Sequence, residues 1–140
     1  MSLFNCRAFG VLTNDKGDIL LLQRNPAYLP DQPFDGVWEF CGGGIEQGES
    51  PQAAIEREYL EEAGLTVRAE RVFTVRTGQR DGVPLLNVGF CCTYISGDLC
   101  LTAEHLVSKW VSQVELAGCD LGPYGNLDRD MFLAFQKWEE

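Results

Sequence analysis

The sequence predicts an α/β protein in which helices flank a mixed β-sheet. Three observations predict this class: short apolar runs of strand length, a capped amphipathic helix between them, and a second amphipathic helix near the end of the chain. The 140 residues suit a single domain, residues 1–140, with one hydrophobic core.

The apolar runs account for the predicted sheet. Two runs, residues 6–13 and 18–24, are separated by NDKG, which is typical of a β-hairpin turn. Further strands are predicted at 37–40, 66–77, 84–95 and 106–112. The proline-rich segment 25–36 is expected to form a long functional or mobile loop.

The helix between the strands has clear start and stop signals. Ser50 is a favoured N-cap, Pro51 suits the first helical position and Gly64 is a usual stop, so the helix is predicted over 51–63. Its apolar ridge consists of Ile55, Tyr59 and Ala63, with Leu60 beside it and Glu56 interrupting it. The second helix is predicted over 127–140.

Charge and cysteine content narrow the function classes. The formal net charge of −10 argues against a nucleic-acid polymer or an anionic membrane bound through a basic surface. No apolar run approaches the roughly 18 residues of a membrane span, and the first residues lack the pattern of a secretory signal. The six cysteines show no CxxC spacing, so reduced thiols are expected. These features indicate a cytoplasmic protein that does not bind a membrane.

The helix at 51–63 carries a crowded acidic face. Glu58, Glu61 and Glu62 stand at i, i+3 and i+4, so their carboxylates point to one side. Two carboxylates about 4 Å apart repel by roughly 1 kcal/mol in water. Oxygen ligands on one face suit a hard cation, Mg²⁺ or Mn²⁺, whereas the plainer interpretation is a solvated acidic surface. The preceding glycines favour the cation, because they allow backbone carbonyls to approach the same place.

The segment from Gly43 to Leu65 resembles the Nudix box, G-x5-E-x7-R-E-U-x-E-E-x-G-U, where U is a bulky apolar residue. Every fixed position matches, and Tyr59 is a less usual occupant of the first U. The order of the other elements is also similar to the Nudix fold, an α/β/α sandwich with a mixed β-sheet. The resemblance implies hydrolysis of a nucleoside diphosphate linked to another group, with Mg²⁺, or Mn²⁺, as cofactor. It implies a small-molecule nucleotide as partner and allows for a homodimer, since dimers are common in families of this kind.

The resemblance also assigns roles within the box. Four metal ligands are implied: the carboxylates of Glu58, Glu61 and Glu62 and the carbonyl of Gly42. Glu49 and Arg57 match residues that brace the loop and the helix, and Arg57 is four residues before Glu61. Bound divalent metals lower the pKa of the attacking water, which explains why like charges are crowded here.

The substrate is expected to be chosen by residues outside the box. VWEFCGGGIE resembles the WEFPGG segment of the MutT-like branch, which removes pyrophosphate from nucleoside triphosphates; Cys41 replaces the proline, and we expect no change in the site chemistry from it. This likeness implies a (deoxy)nucleoside triphosphate as substrate, with Trp38 and Phe40 in its binding site. Arg24 matches a phosphate-contacting position of that branch, and the alternative is an arginine at the surface end of a strand.

Two later segments carry further candidates. LTAEHLVSKWVSQVEL resembles a segment shared by MutT-like and nucleotide-sugar-hydrolysing members, and it implies Glu104 as an extra ligand or the general base; the alternative is an exposed loop glutamate. His105, the single histidine, is not expected to be catalytic. Asn126 resembles an asparagine that reads a purine edge in MutT-like enzymes, and the alternative is the N-cap of the final helix.

Two other functions stay open at this point. A Nudix enzyme acting on a nucleotide sugar, a dinucleotide or a dinucleoside polyphosphate carries the same box. A Nudix-fold module that binds a nucleotide without cleaving it has the same fold but needs no metal carboxylates. Because all the box carboxylates are present, hydrolysis is the favoured prediction.

Overall fold

The computed structural model describes residues 3–27 and 37–139. Most of the predicted proline-rich loop, residues 25–36, lies outside the described residues. The elements in chain order are β1 (Asn5–Thr13), β2 (Ile19–Arg24), β3 (Trp38–Glu39), β4 (Cys41–Gly44), α1 (Pro51–Ala63), β5 (Thr66–Arg80), β6 (Val83–Ser96), β7 (His105–Val111), α2 (Gln113–Ala117) and α3 (Gly122–Glu139). The predicted α/β class is confirmed.

The strands of the described residues form one mixed sheet. Its path is β3-β2-β1-β6-β5, with β4 paired to β1 and β7 paired to β2. β1 and β6 run parallel, and the other pairs are antiparallel. The predicted hairpin is present at its turn, where Thr13 lies opposite Ile19. Beyond the turn the two strands diverge, because β1 pairs with β4 while β2 pairs with β3 and β7.

The sheet is buried on both faces at its centre, which explains the continuous apolar runs in β1 and β2. Alternate residues on these strands pack against α1, namely Ala8, Leu12, Leu20 and Leu22. The residues between them pack with α2 and α3, namely Phe9, Val11, Ile19 and Leu21. The interior therefore consists of two apolar clusters separated by the sheet, rather than the one core that the sequence predicts.

The boundaries of α1 agree with the prediction. Ser50 accepts a hydrogen bond at its Oγ from the Ala53 N–H (3.0 Å), and Gly64 ends the helix in the left-handed region at φ 70°. Glu56, which interrupts the apolar ridge, accepts a hydrogen bond from the Ala69 N–H (2.9 Å) and so ties α1 to β5. Leu60 lies outside the buried ridge and is exposed.

The predicted start of the last helix is wrong. α3 begins at Gly122 rather than at 127, so Asn126 lies within the helix and does not cap it. Asp120, two residues before the helix begins, accepts a hydrogen bond at its Oδ1 from the Gly122 N–H (3.0 Å), one of the donors that have no partner within the helix. Pro123 fits the first turn, where its missing N–H costs nothing.

A short helix, α2, was not predicted. Ser112 and Glu115 form a capping box, in which the Ser112 Oγ accepts from the Glu115 N–H and the Glu115 carboxylate accepts from the Ser112 N–H. The S-x-x-E spacing that signals this motif is present in the sequence. Among the described residues, no helix is long and apolar enough to cross a membrane.

Tyr59 provides a test of how α1 is fixed to the sheet. Its side chain is fully buried, and its hydroxyl donates a hydrogen bond to the Gly10 carbonyl of β1 (2.6 Å). Tyr59→Phe keeps the ring and removes the donor, so we expect the free energy of unfolding to fall by about 1 kcal/mol. Denaturant titration of the metal-free protein measures this loss.

Tyr94→Phe is the matched control for Tyr59→Phe. The Tyr94 hydroxyl donates to the Gly97 carbonyl (2.8 Å) on the exposed surface, where water replaces a lost partner. We expect this variant to unfold at nearly the wild-type denaturant concentration. Equal losses in the two variants would contradict a specific role for the buried bond.

Candidate active site

A cavity of about 700 Å³ opens between α1, the sheet and α3. This volume lies within the range of small-molecule sites. The cavity brings together four of the residues predicted from the sequence as catalytic or metal-binding, namely Gly42, Glu58, Glu62 and Glu104. It also contains Arg24 and Phe40 from the predicted substrate site.

Arg57 organises the acidic face of α1. Its Nε and Nη2 donate to the two carboxylate oxygens of Glu49 (2.7 and 3.0 Å), and Nη2 also donates to the Gly44 carbonyl (3.0 Å). Its Nη1 donates to Glu58 (3.0 Å) and Glu61 (3.1 Å). One guanidinium therefore fixes the glycine segment β4, the following loop and two of the crowded carboxylates.

Glu58 fits against β4 because residue 43 is a glycine. The Glu58 carboxylate occupies the space that a side chain at Gly43 would need. Burial raises the pKa of Glu58 above its usual range, although Arg57 opposes the shift. A partly buried carboxylate of this kind is stabilised in its charged form by a cation at the cavity.

Glu62 is the most perturbed carboxylate of the cluster. Burial raises its pKa to about 8, with a further contribution from a hydrogen bond to Glu104. The Cys41 thiol donates to the Glu62 Oε2 (3.0 Å), and burial keeps the pKa of that thiol well above its usual value. Cys41, which stands where the MutT-like segment has a proline, thus provides a hydrogen-bond donor to a predicted metal ligand.

Glu61 differs from its two neighbours on α1. Its side chain is 58% exposed and is not among the described residues that line the cavity. Its contact with Arg57 places it at the rim of the carboxylate cluster. The structure thus separates the three predicted ligands into two that face the cavity, Glu58 and Glu62, and one at its edge.

Glu104 and His105, where β7 begins, line the same cavity as Glu58 and Glu62. Ligand atoms of Glu62, Glu104 and His105 all lie within 4.8 Å of one another, and this donor set fits a divalent cation. His105 is buried, and its Nε2 lies 2.7 Å from the Glu39 Oε1. Glu39 also accepts a hydrogen bond from the Arg24 Nη2 (2.7 Å). Glu39 thus links His105 to Arg24, which lines the cavity.

Two predicted substrate-site residues lie elsewhere. Trp38 packs with the apolar cluster on the α3 side, with the Lys109 Nζ 4.2 Å from its ring centroid. The Asn126 Oδ1 accepts from the Leu121 N–H (2.7 Å) and its Nδ2 donates to Asp120 (3.3 Å). Neither residue is among the described residues that line the cavity.

The structure adds residues that the sequence did not single out. They come from β1, β5, β6 and α3, and include Arg7, Arg76, Asn87, Tyr124 and Asp128. Burial, followed by the nearby charge of Arg80, lowers the pKa of Arg7. The available signal was the strand period: a polar residue within an apolar strand, such as Arg7 or Asn87, marks a place where the sheet faces something other than the core.

The comparisons with known proteins agree with this geometry. The model of the NUDIX domain matches residues 5–126. "Nucleoside triphosphatase NudI" of Salmonella newport is 33% identical over 99 residues, which cover 63% of this chain and 70% of that protein. A MutT protein from Methanosarcina mazei superposes with a TM-score of 0.80 at 24% identity, covering 99% of this chain and 97% of the other. The E. coli ORF135 protein superposes with a TM-score of 0.83 at 24% identity, covering 96% and 92%.

The chain therefore belongs to the NUDIX domain family and is a Nudix hydrolase. The predicted family and the predicted α/β/α sandwich are both confirmed.

The raised pKa of Glu62 predicts how stability depends on pH when EDTA removes metal. The folded state holds a proton on Glu62 up to about pH 8, whereas the unfolded chain releases it near 4.5. The stability contributed by this proton is complete below pH 4.5 and is lost as pH rises through about 8. We expect the Tm of the wild type to fall relative to that of Glu62→Gln across this window.

Thermal melts of both proteins in EDTA, at several pH values, measure this difference. The contributions of groups that titrate equally in the two proteins cancel in the difference between their Tm values. Two Tm curves that run parallel from pH 5 to pH 8.5 would show that Glu62 titrates at an ordinary pKa (about 4.3). Added Mg²⁺ is expected to raise the wild-type Tm most at high pH, because the ligand must be deprotonated.

Proposed function

We propose that this protein is a Mg²⁺-dependent pyrophosphohydrolase that converts a nucleoside triphosphate to a monophosphate and pyrophosphate. The observation that carries the proposal is the convergence of Glu58, Glu62 and Glu104 in a nucleotide-sized cavity that arginines also line. The similarity to a nucleoside triphosphatase supports the choice of a triphosphate over other linked diphosphates.

The carboxylates supply the oxygen ligands that Mg²⁺ or Mn²⁺ prefers. In this proposal Glu58 and Glu62 would hold metal directly, and Gly42, which lines the same cavity, would add its carbonyl. Glu61, at the rim, completes the set or binds a second ion. A bound divalent ion neutralises phosphate charge and lowers the pKa of the attacking water.

The other residues bind and orient the substrate. Arg24 and Arg7 line the cavity and attract the phosphates. Glu39 and His105 fix the direction of Arg24, because Glu39 contacts both side chains. Arg57 and Glu49 do not contact substrate and act by positioning Glu58 and the glycine segment.

The first test is hydrolysis across a panel of nucleoside triphosphates, nucleotide sugars and dinucleoside polyphosphates, with products identified. We expect monophosphate and pyrophosphate from triphosphates in Mg²⁺, and no turnover in EDTA. Glu62→Gln should lower kcat by orders of magnitude while its Tm in EDTA does not fall. Efficient cleavage of a nucleotide sugar alone would replace the proposed substrate, and binding without cleavage of any nucleotide would indicate a sensing module.

Glu104 is tested by separating kcat from KM. If Glu104 is the general base or a metal ligand, Glu104→Gln lowers kcat far more than it raises KM, which is typical of a group that acts in the transition state. Glu115→Gln is a suitable control, since Glu115 lies in the capping box of α2, away from the cavity. Wild-type kcat in Glu104→Gln would remove Glu104 from the chemistry and leave Glu58, or a water bound between metals, as the candidate base.

A further inference from the structure

One row of residues crosses four neighbouring strands. Gly44 on β4 lies opposite Arg7 on β1, Arg7 lies beside Asn87 on β6, and Asn87 lies opposite Arg76 on β5. The side chains of Arg7, Asn87 and Arg76 all line the cavity. Because adjacent strands are about 4.8 Å apart, Asn87 is roughly 10 Å across the sheet from the glycine strand β4. That is the length of a sugar with one or two phosphates.

Asn87 is a buried amide with an unmet hydrogen bond. Its side chain is 8% exposed, and its Oδ1 has no hydrogen-bond partner within residues 3–27 and 37–139. A buried polar atom without a partner costs stability, so a partner from outside the chain, a water or a ligand, is expected there. Since the side chain lines the cavity, a ligand in the cavity can supply the missing partner.

The surroundings of Asn87 suit a neutral flat group better than a phosphate. Arg76, its cross-strand neighbour, donates to both carboxylate oxygens of Asp128 (2.7 and 2.9 Å), which neutralises its charge. The Arg76 guanidinium also lies 5.3 Å from the centroid of the Tyr124 ring. Leu85, on the same strand as Asn87, adds an apolar surface to the cavity. By contrast, the charged side chains of Arg7 and Glu58 lie on the β4 side of Asn87, with Arg7 on the adjoining strand and Glu58 against Gly43.

We propose that Asn87 is the specificity-determining residue that reads the nucleobase of the substrate. An amide presents a donor and an acceptor side by side, and so pairs with a base edge on which an N–H adjoins a carbonyl or ring nitrogen. The inference rests on the proposed function, because it places the triphosphate at the carboxylates and the base at Asn87. It assigns base reading to the sheet rather than to Asn126, whose amide is occupied by Asp120 and Leu121.

The test compares the wild type with Asn87→Leu and Asn87→Asp on nucleoside triphosphates of all the common bases. Leucine has a similar size and offers no hydrogen bond, whereas aspartate keeps an acceptor and loses the donor. We expect Asn87→Leu to lower kcat/KM on the preferred triphosphate by about ten- to hundredfold and to reduce the preference among bases. We expect Asn87→Asp to change the order of preference.

Inorganic tripolyphosphate is the matched control ligand, because it carries the phosphates and no base. Its Ki as a competitive inhibitor should be the same in the wild type and in both variants. A structural role for Asn87 would instead change this Ki together with kcat/KM. Circular dichroism and the Tm show whether each variant folds. If one of the two Asn87 variants does not fold, the kinetics of the other test the role of Asn87.

Three results would overturn the inference. They are an unchanged base preference in both folded variants, an equal loss of tripolyphosphate binding, and a loss of base preference in Asn126→Asp but not in Asn87→Leu. Turnover by the wild type is a separate readout. If the wild type hydrolyses no triphosphate, the proposed function fails; if it does and the variants match it, only the role of Asn87 fails.

Discussion

The Arg57 guanidinium is the contact on which the rest of the site depends. It donates to Glu49, Glu58, Glu61 and the Gly44 carbonyl, and so connects α1, the loop before it and β4. Pairing with Glu49 raises the pKa of Arg57, so its positive charge is permanent. Lysine cannot replace it, because a single ammonium cannot make a forked contact with Glu49 while reaching two further carboxylates. The crowding of carboxylates on α1 is tolerated because the positively charged Arg57 guanidinium lies among them and is held in place.

The second constraint is that two glycines, which have no side chain, allow neighbouring groups to pack directly against the backbone. At Gly10 of β1, an added Cβ would lie 2.7 Å from the Cys92 Sγ and 3.0 Å from the Tyr59 ring, so only glycine lets α1 pack onto the centre of the sheet. Gly43 makes the same kind of room for Glu58. As a result, Glu58 packs against β4, and Glu58 and Glu62 both line the cavity. Burial then raises the pKa of Glu58 and Glu62, so a cation that binds them must displace a proton and restores their charged form.

Local signals in the sequence predicted α1, its caps and the family, because each of these depends on a few residues at fixed spacing. Arg57 and Glu49 could be paired from the same spacing, and the structure brings them together. The start of α3 was mispredicted because Asp120, six residues before Asn126, is an equally suitable side chain to accept from the first N–H groups of a helix. Arg7 and Asn87 each interrupt an apolar strand, but their grouping with Arg76 on the far wall of the cavity could not be predicted, because the three meet only through the register of three strands. Strand register is set by the whole sheet, and the single sequence contains no local mark of it.

The cavity thus joins two chemically different ends, with the carboxylates of α1 beside the glycines of β4 and a buried amide on β6. The most direct test of this account is a crystal structure with Mn²⁺ and a non-hydrolysable nucleoside triphosphate, in which anomalous scattering locates the metal. The account predicts Mn²⁺ at metal–oxygen bonding distance from Glu58 and Glu62, with the base hydrogen-bonded to Asn87. A metal held only by residues outside this cavity, or a nucleotide bound with its base at the carboxylates, would contradict it.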